Sequence, residues 1–316
     1  MAKYRHGLPQ LSGKLFLTDG GIETTLVFLE GLELPSFAAF VLLEDEKGMA
    51  ALRRYYARHA EIAKSNGTGF ILESPTWRSS ADWGAKLGYS ADQLATLNRK
   101  AIALMAGMRA ELETSNSPMV VSGCIGPRGD GYVPGKLMTG REAMGFHAAQ
   151  VRAFADGEAD MITAITMNYV EEGIGVAAAA KAASVPSAIS FTVETDGKLP
   201  SGQPLGEAIA AVDAATNRAP AYYMINCAHP THFEDVLAKG EPWVERLRGI
   251  RANASKRSHA ELDAATDLDD GDPVELGRQY AALRARFGWI NVLGGCCGTD
   301  HRHVEEICRS CQPLAA

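Results

Sequence analysis

Two cysteines stand side by side in Gly294-Gly295-Cys296-Cys297-Gly298-Thr299, and a third closes the run Ile225-Asn226-Cys227. Glycines on either side strip local bulk from the paired thiols, so the backbone can wrap closely around whatever the sulfurs hold. Deprotonated cysteine is a soft ligand, and three such ligands suit a tetrahedral ion such as Zn²⁺. Three protein ligands leave a fourth position open, which marks a catalytic rather than a closed structural site. Cys227, Cys296 and Cys297 are therefore the candidate metal ligands and the candidate catalytic centre, with Zn²⁺ as the cofactor. The plain alternative makes each cysteine a small buried hydrophobe. A redox-active vicinal pair would leave Cys227 without a task.

Other patterns compete for attention. Gly173-Ile174-Gly175-Val176-Ala177-Ala178 matches a dinucleotide-binding fingerprint, with Glu194 about twenty residues further on. That pattern supports an NAD-dependent enzyme as a distant alternative. Its glycines follow Glu171-Glu172, however, which would set two negative charges beside a pyrophosphate. Cys308 and Cys311 have Cys-x-x-Cys spacing but sit in a terminal helical segment with no preceding strand, so they read as helix residues. Cys124 reads as a core or rim residue. His229, His232, His301 and His303 follow the cysteine segments and read as exposed residues at helix starts.

The elements that must position the thiols come from periodicity. Short apolar runs alternate with longer helical segments. The strand candidates are Lys14–Thr18, Thr68–Ser74, Met119–Cys124, Asp160–Met167, Ser187–Val193, Ala221–Asn226, Gly249–Asn253 and Trp289–Leu293. They read as strands buried on both faces, as in a parallel sheet covered by helices. Helix starts are marked by capping-box patterns at Ser90 with Gln93 and at Thr139 with Glu142, and by Asp272 before Pro273. The runs Ala91–Thr114 and Val176–Ala183 have high helix propensity. Such alternation with no composition break predicts an α/β fold, a single (β/α)₈ TIM barrel spanning residues 1–316. In that fold Asp19-Gly20-Gly21, Cys227 and Cys296-Cys297 all end strands at the C-terminal rim, where barrel enzymes build their sites.

Bulk properties narrow the partners. The 316 residues are 46% hydrophobic and 22% charged, enough to bury a large core. A net charge of −7 and the absence of a dense Lys/Arg run argue against nucleic acid or an anionic membrane as partner. Met1–Gln10 lacks the apolar core of a signal peptide, and no run of about 18 apolar residues occurs. The chain is therefore expected in the cytoplasm, with reduced thiols and small-molecule partners. Oligomeric state is not legible at this level.

Taken together, Asp19-Gly20-Gly21, Gly126-Pro127, Ile225-Asn226-Cys227 and Gly294-Gly295-Cys296-Cys297-Gly298-Thr299 resemble the homocysteine S-methyltransferase family, over residues from about 14 to about 310. The resemblance implies a zinc-dependent (β/α)₈ barrel that moves a methyl group from a sulfonium, betaine or cobalamin donor to the thiol of homocysteine. It also implies that Asp19 contacts the acceptor's amino group while the backbone at Gly20 and Gly21 receives its carboxylate. Asn226 would orient the neighbouring ligand loop.

This chain departs from the family in two strands. Ile165 stands beside Thr166 where the family carries the glutamate of a Glu-Thr pair, so Glu73 or Glu194 is a candidate replacement. The second strand ends Glu73-Ser74-Pro75-Thr76-Trp77 rather than in a Thr-Asn-Thr type of sequence. Glu73, Thr166 and Trp77 join the candidate substrate contacts, and Trp77 and Tyr132 could face a cationic methyl donor. The segment Gly126–Lys136 reads as a lid over the donor side. The expected activity is methyl transfer from a sulfonium or betaine-type donor to homocysteine, giving methionine. A different thiol or seleno-acceptor is the nearest alternative, and a non-enzymatic thiol–metal buffer is a third.

Overall fold

The computed structural model describes residues 2–237 and 240–312; Met1 and the last four residues of the expected domain lie outside that set. Eight parallel strands close into a barrel in chain order. They are β1 (Phe16–Leu17), β2 (Gly69–Glu73), β3 (Met119–Ile125), β4 (Met161–Met167), β5 (Ser187–Phe191), β6 (Tyr222–Asn226), β7 (Leu247–Ala252) and β8 (Val292–Gly295). Phe16 pairs with Val292 and Leu17 with Leu293, so the two ends of the sequence meet and close the barrel. Each anticipated strand is present. The last begins later than expected, because β8 extends instead through Gly294 and Gly295, which pair with Arg251 and Ala252 of β7.

The helices, in order, are α1 (Ile22–Thr24), α2 (Glu46–Ser65), α3 (Ala81–Lys86), α4 (Ala91–Leu112), α5 (Gly140–Asp156), α6 (Val170–Ala182), α7 (Leu205–Thr216), α8 (Glu234–Leu237), α9 (His259–Asp263), α10 (Pro273–Arg286) and α11 (His301–Cys311). Ser90 with Gln93 and Thr139 with Glu142 form complete capping boxes, and Asp272 caps α10 with Pro273 in its first turn. Ser258 with Glu261 and Asp300 with His303 add two more. Each cap satisfies amides that the first helical turn leaves unpaired.

Strand alternation divides the core in two. Phe16, Ile71, Val120, Met161, Ala188, Met224 and Val292 fill the barrel interior with Leu8. Their strand neighbours Leu17, Phe70, Leu72, Val121, Ile189, Ile225 and Leu293 pack outward against the helices. The N-terminal segment, anticipated only as polar, closes the bottom of the barrel. Gln10 is fully buried, and its carbonyl accepts a 2.8 Å bond from the Asn291 side chain.

The Gly-x-Gly-x-x-Ala pattern has a packing role that displaces the nucleotide-binding alternative. Gly173 and Gly175 lie inside α6 rather than in a turn between strand and helix. A Cβ on Gly175 would overlap the side chain of Ala143 and crowd the Met144 amide 2.6 Å away, so this glycine lets α5 and α6 approach closely. Replacing Gly175 with Val should destabilise the fold by roughly 1–3 kcal/mol through overpacking. Denaturant unfolding would read this as a lowered midpoint, and an unchanged midpoint would refute the packing role.

Candidate functional site

The three cysteines converge as the barrel topology requires. Their sulfurs all lie within 4.8 Å of one another at the C-terminal rim. Cys227 follows β6 with a left-handed backbone (φ 53°), and its carbonyl accepts from Asn253 Nδ2 at 3.0 Å and contacts His259 Nε2 at 2.6 Å. Cys296 and Cys297 follow β8, where the Cys296 amide bonds to Ala252 and the Cys297 carbonyl accepts from Ala254. The flanking glycines are needed for close approach: a Cβ at Gly294 would overlap Thr18, one at Gly295 would overlap Thr299, and one at Gly21 would meet the Cys296 carbonyl at 2.5 Å.

In this structure Cys227 and Cys296 are joined as a disulfide and Cys297 is a free thiol. Metal ligation requires the reduced, deprotonated set. Three soft donors on rigid strand ends, meeting at the edge of a cavity, fit a tetrahedral Zn²⁺. Burial pushes the Cys297 thiol pKa up, and the Tyr132 hydroxyl, 3.5 Å from its sulfur, opposes that shift.

Asn226 links the ligand loops. Its side-chain oxygen accepts from the Thr166 amide at 2.8 Å and from Ser190 Oγ at 2.6 Å, while its Nδ2 donates to Thr166 Oγ1 at 2.9 Å and to Cys296 Sγ at 3.9 Å. Thr166, at the end of β4, is itself left-handed (φ 62°).

A cavity of about 490 Å³ opens beside the sulfurs, and Asp19, Gly20, Gly21, Glu73, Trp77 and Thr166 all line it. Asn226 stands behind the wall rather than in it. Ile165 presents hydrocarbon to the same cavity. Asp19 is fully committed within the protein: one carboxylate oxygen pairs with Arg251 at 2.8 Å and the other accepts from Tyr55 at 3.0 Å. The Gly21 amide is likewise engaged, by the Thr299 carbonyl at 2.9 Å.

Burial opposes the charge on Arg251, but Asp19 and Glu73 beside it more than offset this and hold its pKa above the ordinary value. Glu73 is 3% exposed, and neither carboxylate oxygen has a hydrogen-bond partner. The neighbouring hydroxyls of Ser122 and Thr163 bond each other at 2.8 Å. Burial pushes the Glu73 pKa up to about 7, and Arg251 and the nearby Thr163 and Ser122 hydroxyls, which fall short of well-formed hydrogen bonds to it, temper the shift.

Several residues fall elsewhere than anticipated. Glu194 is outside the cavity lining and contacts His259 at 3.0 Å, which removes it as a replacement for the missing strand carboxylate. His229 and His303 are buried rather than exposed: His229 bonds Thr231, and His303 caps α11 through Asp300. Cys308 and Cys311 are buried on α11, where burial raises their pKa values to about 11 and about 12. They stay protonated and serve packing.

Arg251, Glu23 and His259 also stand at the site and are not anticipated from local sequence. A charged residue within the apolar run of β7 was the available signal for Arg251. Glu23 lines the cavity, and His259 stacks under Tyr132 with ring centroids 3.9 Å apart. Asn168 Nδ2 also holds the Tyr132 loop, donating to the Asp130 carbonyl at 2.9 Å.

A closed (β/α)₈ barrel with three convergent cysteines at its C-terminal rim defines a thiolate-metal class of barrel. The homocysteine S-methyltransferase family model matches residues 16–311, and the chain belongs to that family. The methionine synthase of Mycobacterium leprae is 24% identical over a 318-residue alignment that takes in 95% of this chain. The chain spans about a quarter (24%) of the length of that curated relative. Among solved structures, the oxidized form of the homocysteine methyltransferase MmuM from Escherichia coli superposes with a TM-score of 0.73 at 20% identity, covering 96% of this chain and 99% of that one. Its metallated form gives 0.69 at 18% identity, covering 94% and 96%. At these identities the likeness is one of fold.

Glu73 generates a pH prediction. Its folded pKa of about 7 exceeds the ordinary carboxyl value of 4.5. Between those two values the folded state keeps a proton that the unfolded state has lost, so stability falls as pH rises through the window and levels above it. Glu73→Gln should remove this loss, which is at most about 3 kcal/mol. Thermal unfolding should show the variant gaining on the wild type from pH 4.5 to 7; a constant difference across that range would refute the assignment.

Proposed function

We propose that this chain is a zinc-dependent S-methyltransferase that transfers a methyl group from a small donor to the thiol of homocysteine, giving methionine. The observation that carries the reading is the convergence of Cys227, Cys296 and Cys297 on one cavity in a chain of this family. A single barrel domain over residues 1–316, acting in a reducing compartment such as the cytoplasm, agrees with the need for free thiols.

Cys227, Cys296 and Cys297 would hold the ion. Bound there, Zn²⁺ would favour the thiolate form of a sulfur at the open position near neutral pH. The rest falls to this chain's own residues. Asn226, by bonding both Thr166 and Cys296, fixes the two ligand loops relative to β4. Glu73 receives the acceptor's ammonium group, because it is a deeply buried carboxylate of the cavity with no ion-pair partner while Asp19 is spent on Arg251 and Tyr55. Asp19, Gly20 and Gly21 shape the turn against which the acceptor's main portion lies, and Trp77 and Thr166 supply further walls. Methyl transfer then depends on proximity and in-line orientation, with the Tyr132 loop excluding water.

One observation favours a second reading. Ile165 replaces a carboxylate at the end of β4 with hydrocarbon, which suits a thiol or seleno-acceptor lacking homocysteine's pattern of charges. Both readings meet the same experiment: zinc content under reducing conditions for wild type and Cys297→Ala, paired with an assay offering homocysteine and other small thiols. The expected result is about one zinc per chain and methionine formation. The variant should lose both by more than the roughly 10–100-fold that loss of an outer-shell partner causes. Full activity in the variant would sink the mechanism, and turnover with another thiol alone would establish the second reading.

A further inference from the structure

Glu23 lies just past the Asp19-Gly20-Gly21 turn, in α1, and lines the cavity half-buried. Its own backbone amide donates to its carboxylate, and no ion pair or hydrogen bond from another residue reaches that carboxylate among the described residues. Its field reaches Cys297, where it opposes thiol ionisation, and Arg78, whose charge it supports. It is a different place from that of Glu73, which sits at the end of β2 beside Arg251. The cavity therefore holds two carboxylates without an ion-pair partner among the described residues, and the Glu73 side chain is almost wholly buried while aimed into it.

The two cations of the cavity wall do not neutralise them. Arg251 is bound to Asp19, the Gly20 carbonyl and the Gly295 carbonyl. Arg78 donates to the Gly129 carbonyl at 2.9 Å, lies 4.0 Å from Asp130, and is sandwiched between Trp77 and Trp83. Asp263, Asp267 and Asp269 add further acids to the lining, and Trp77 and Tyr132 present aromatic faces. An enclosed, partly desolvated carboxylate whose nearby cations are hydrogen-bonded elsewhere keeps part of its ionisation cost, and a cationic ligand with aromatic neighbours relieves that cost.

We propose that Glu23 is a specificity-determining residue that selects an onium methyl donor, a sulfonium or quaternary ammonium compound, on the Cys297 side of the cavity. This rests on the methyl-transfer reading, with Glu73 left for the acceptor's ammonium. In the transfer, the acceptor's thiolate sulfur forms a bond to the donor's methyl carbon. The bond from that carbon to the positive sulfur or nitrogen breaks, and its electron pair returns to the heteroatom. The donor leaves as a neutral thioether or amine, and the acceptor's thiol proton passes to solvent. Positive charge on the donor fades as the reaction proceeds, so Glu23 holds the ground state at least as strongly as the transition state. Its contribution belongs in the donor KM and not in kcat.

The test uses reduced, zinc-loaded protein and the variant Glu23→Gln. Calorimetric titration with tetramethylammonium should show binding to wild type, at least about tenfold weaker binding to the variant, and none for the neutral isostere tert-butanol by either. With S-methylmethionine and glycine betaine as donors, the variant should raise donor KM about tenfold or more, with kcat and the homocysteine KM within about twofold. Equal tetramethylammonium affinity in the two proteins would overturn the proposal. So would an unchanged donor KM, or methyl transfer from methylcobalamin or 5-methyltetrahydrofolate with none from either onium donor. That last result would leave the methyltransferase reading standing. Cation binding that depends on Glu23 without turnover from any donor would instead overturn that reading and keep the cation site.

Discussion

The buried ion pair between Arg251 and Asp19 is the contact on which the rest of the site depends. It joins residues 232 positions apart, and Arg251 also donates to the Gly20 and Gly295 carbonyls. One guanidinium thus ties the ends of β7, β8 and β1 at the seam where the barrel closes. Tyr55 of α2 completes Asp19 from outside the barrel. A buried pair of this kind adds little net stability over an apolar replacement, but removing one partner costs about 3–5 kcal/mol. Its value here is positional: it fixes the turn at Gly20 and Gly21 against the loop that carries Cys296 and Cys297. It also divides the nearest positive charge between Asp19 and Glu73, which sets the electrostatic character of the cavity.

A second constraint is backbone strain at the thiol rim. Thr166 and Cys227 both hold left-handed conformations that non-glycine residues adopt at a cost of roughly 1–3 kcal/mol each. The β4–β5 register shifts between Ala164 and Met167, at the same point of the rim. Asn226 offsets the cost, because its amide group bonds Thr166 twice and Ser190 once while reaching Cys296. Two strained residues and one bridging amide therefore aim β4, β6 and β8 at a common point. The sulfurs converge because the backbone beneath them is over-determined.

The barrel itself was legible in the sequence, since strand and helix periodicities, capping patterns and glycine context are local signals. Ser90, Thr139 and Asp272 cap as their neighbours in sequence predict. The thiol cluster was legible because cysteines at the ends of β6 and β8 must meet once the strands close in order. What stayed hidden is pairing between distant residues. Nothing near Asp19 announces that Arg251 occupies it, and nothing near Glu73 or Glu23 announces that each lacks a partner. The histidines show the same limit: His259 and His303 have similar local settings, yet one supports Tyr132 and the other caps a helix. The Gly173 and Gly175 pattern misled for the converse reason, because a helix-packing glycine and a phosphate-cradling glycine look alike until the neighbouring helix is known.

These features make the cavity wall an electrostatically unbalanced arrangement. Glu23 and Glu73 both have pKa values pushed up to about 7, chiefly by burial, so at neutral pH the protein carries part of the cost of ionising them, which Arg251 and Arg78 ease but do not remove. The chain commits the Arg251 guanidinium to Asp19, a structural partner, and leaves the two carboxylates facing the space beside the thiols. A ligand that brings positive charge supplies the missing partner, and its binding adds to folding stability by mass action. Under the proposed function, substrate recognition and the balancing of charge at this rim are the same event.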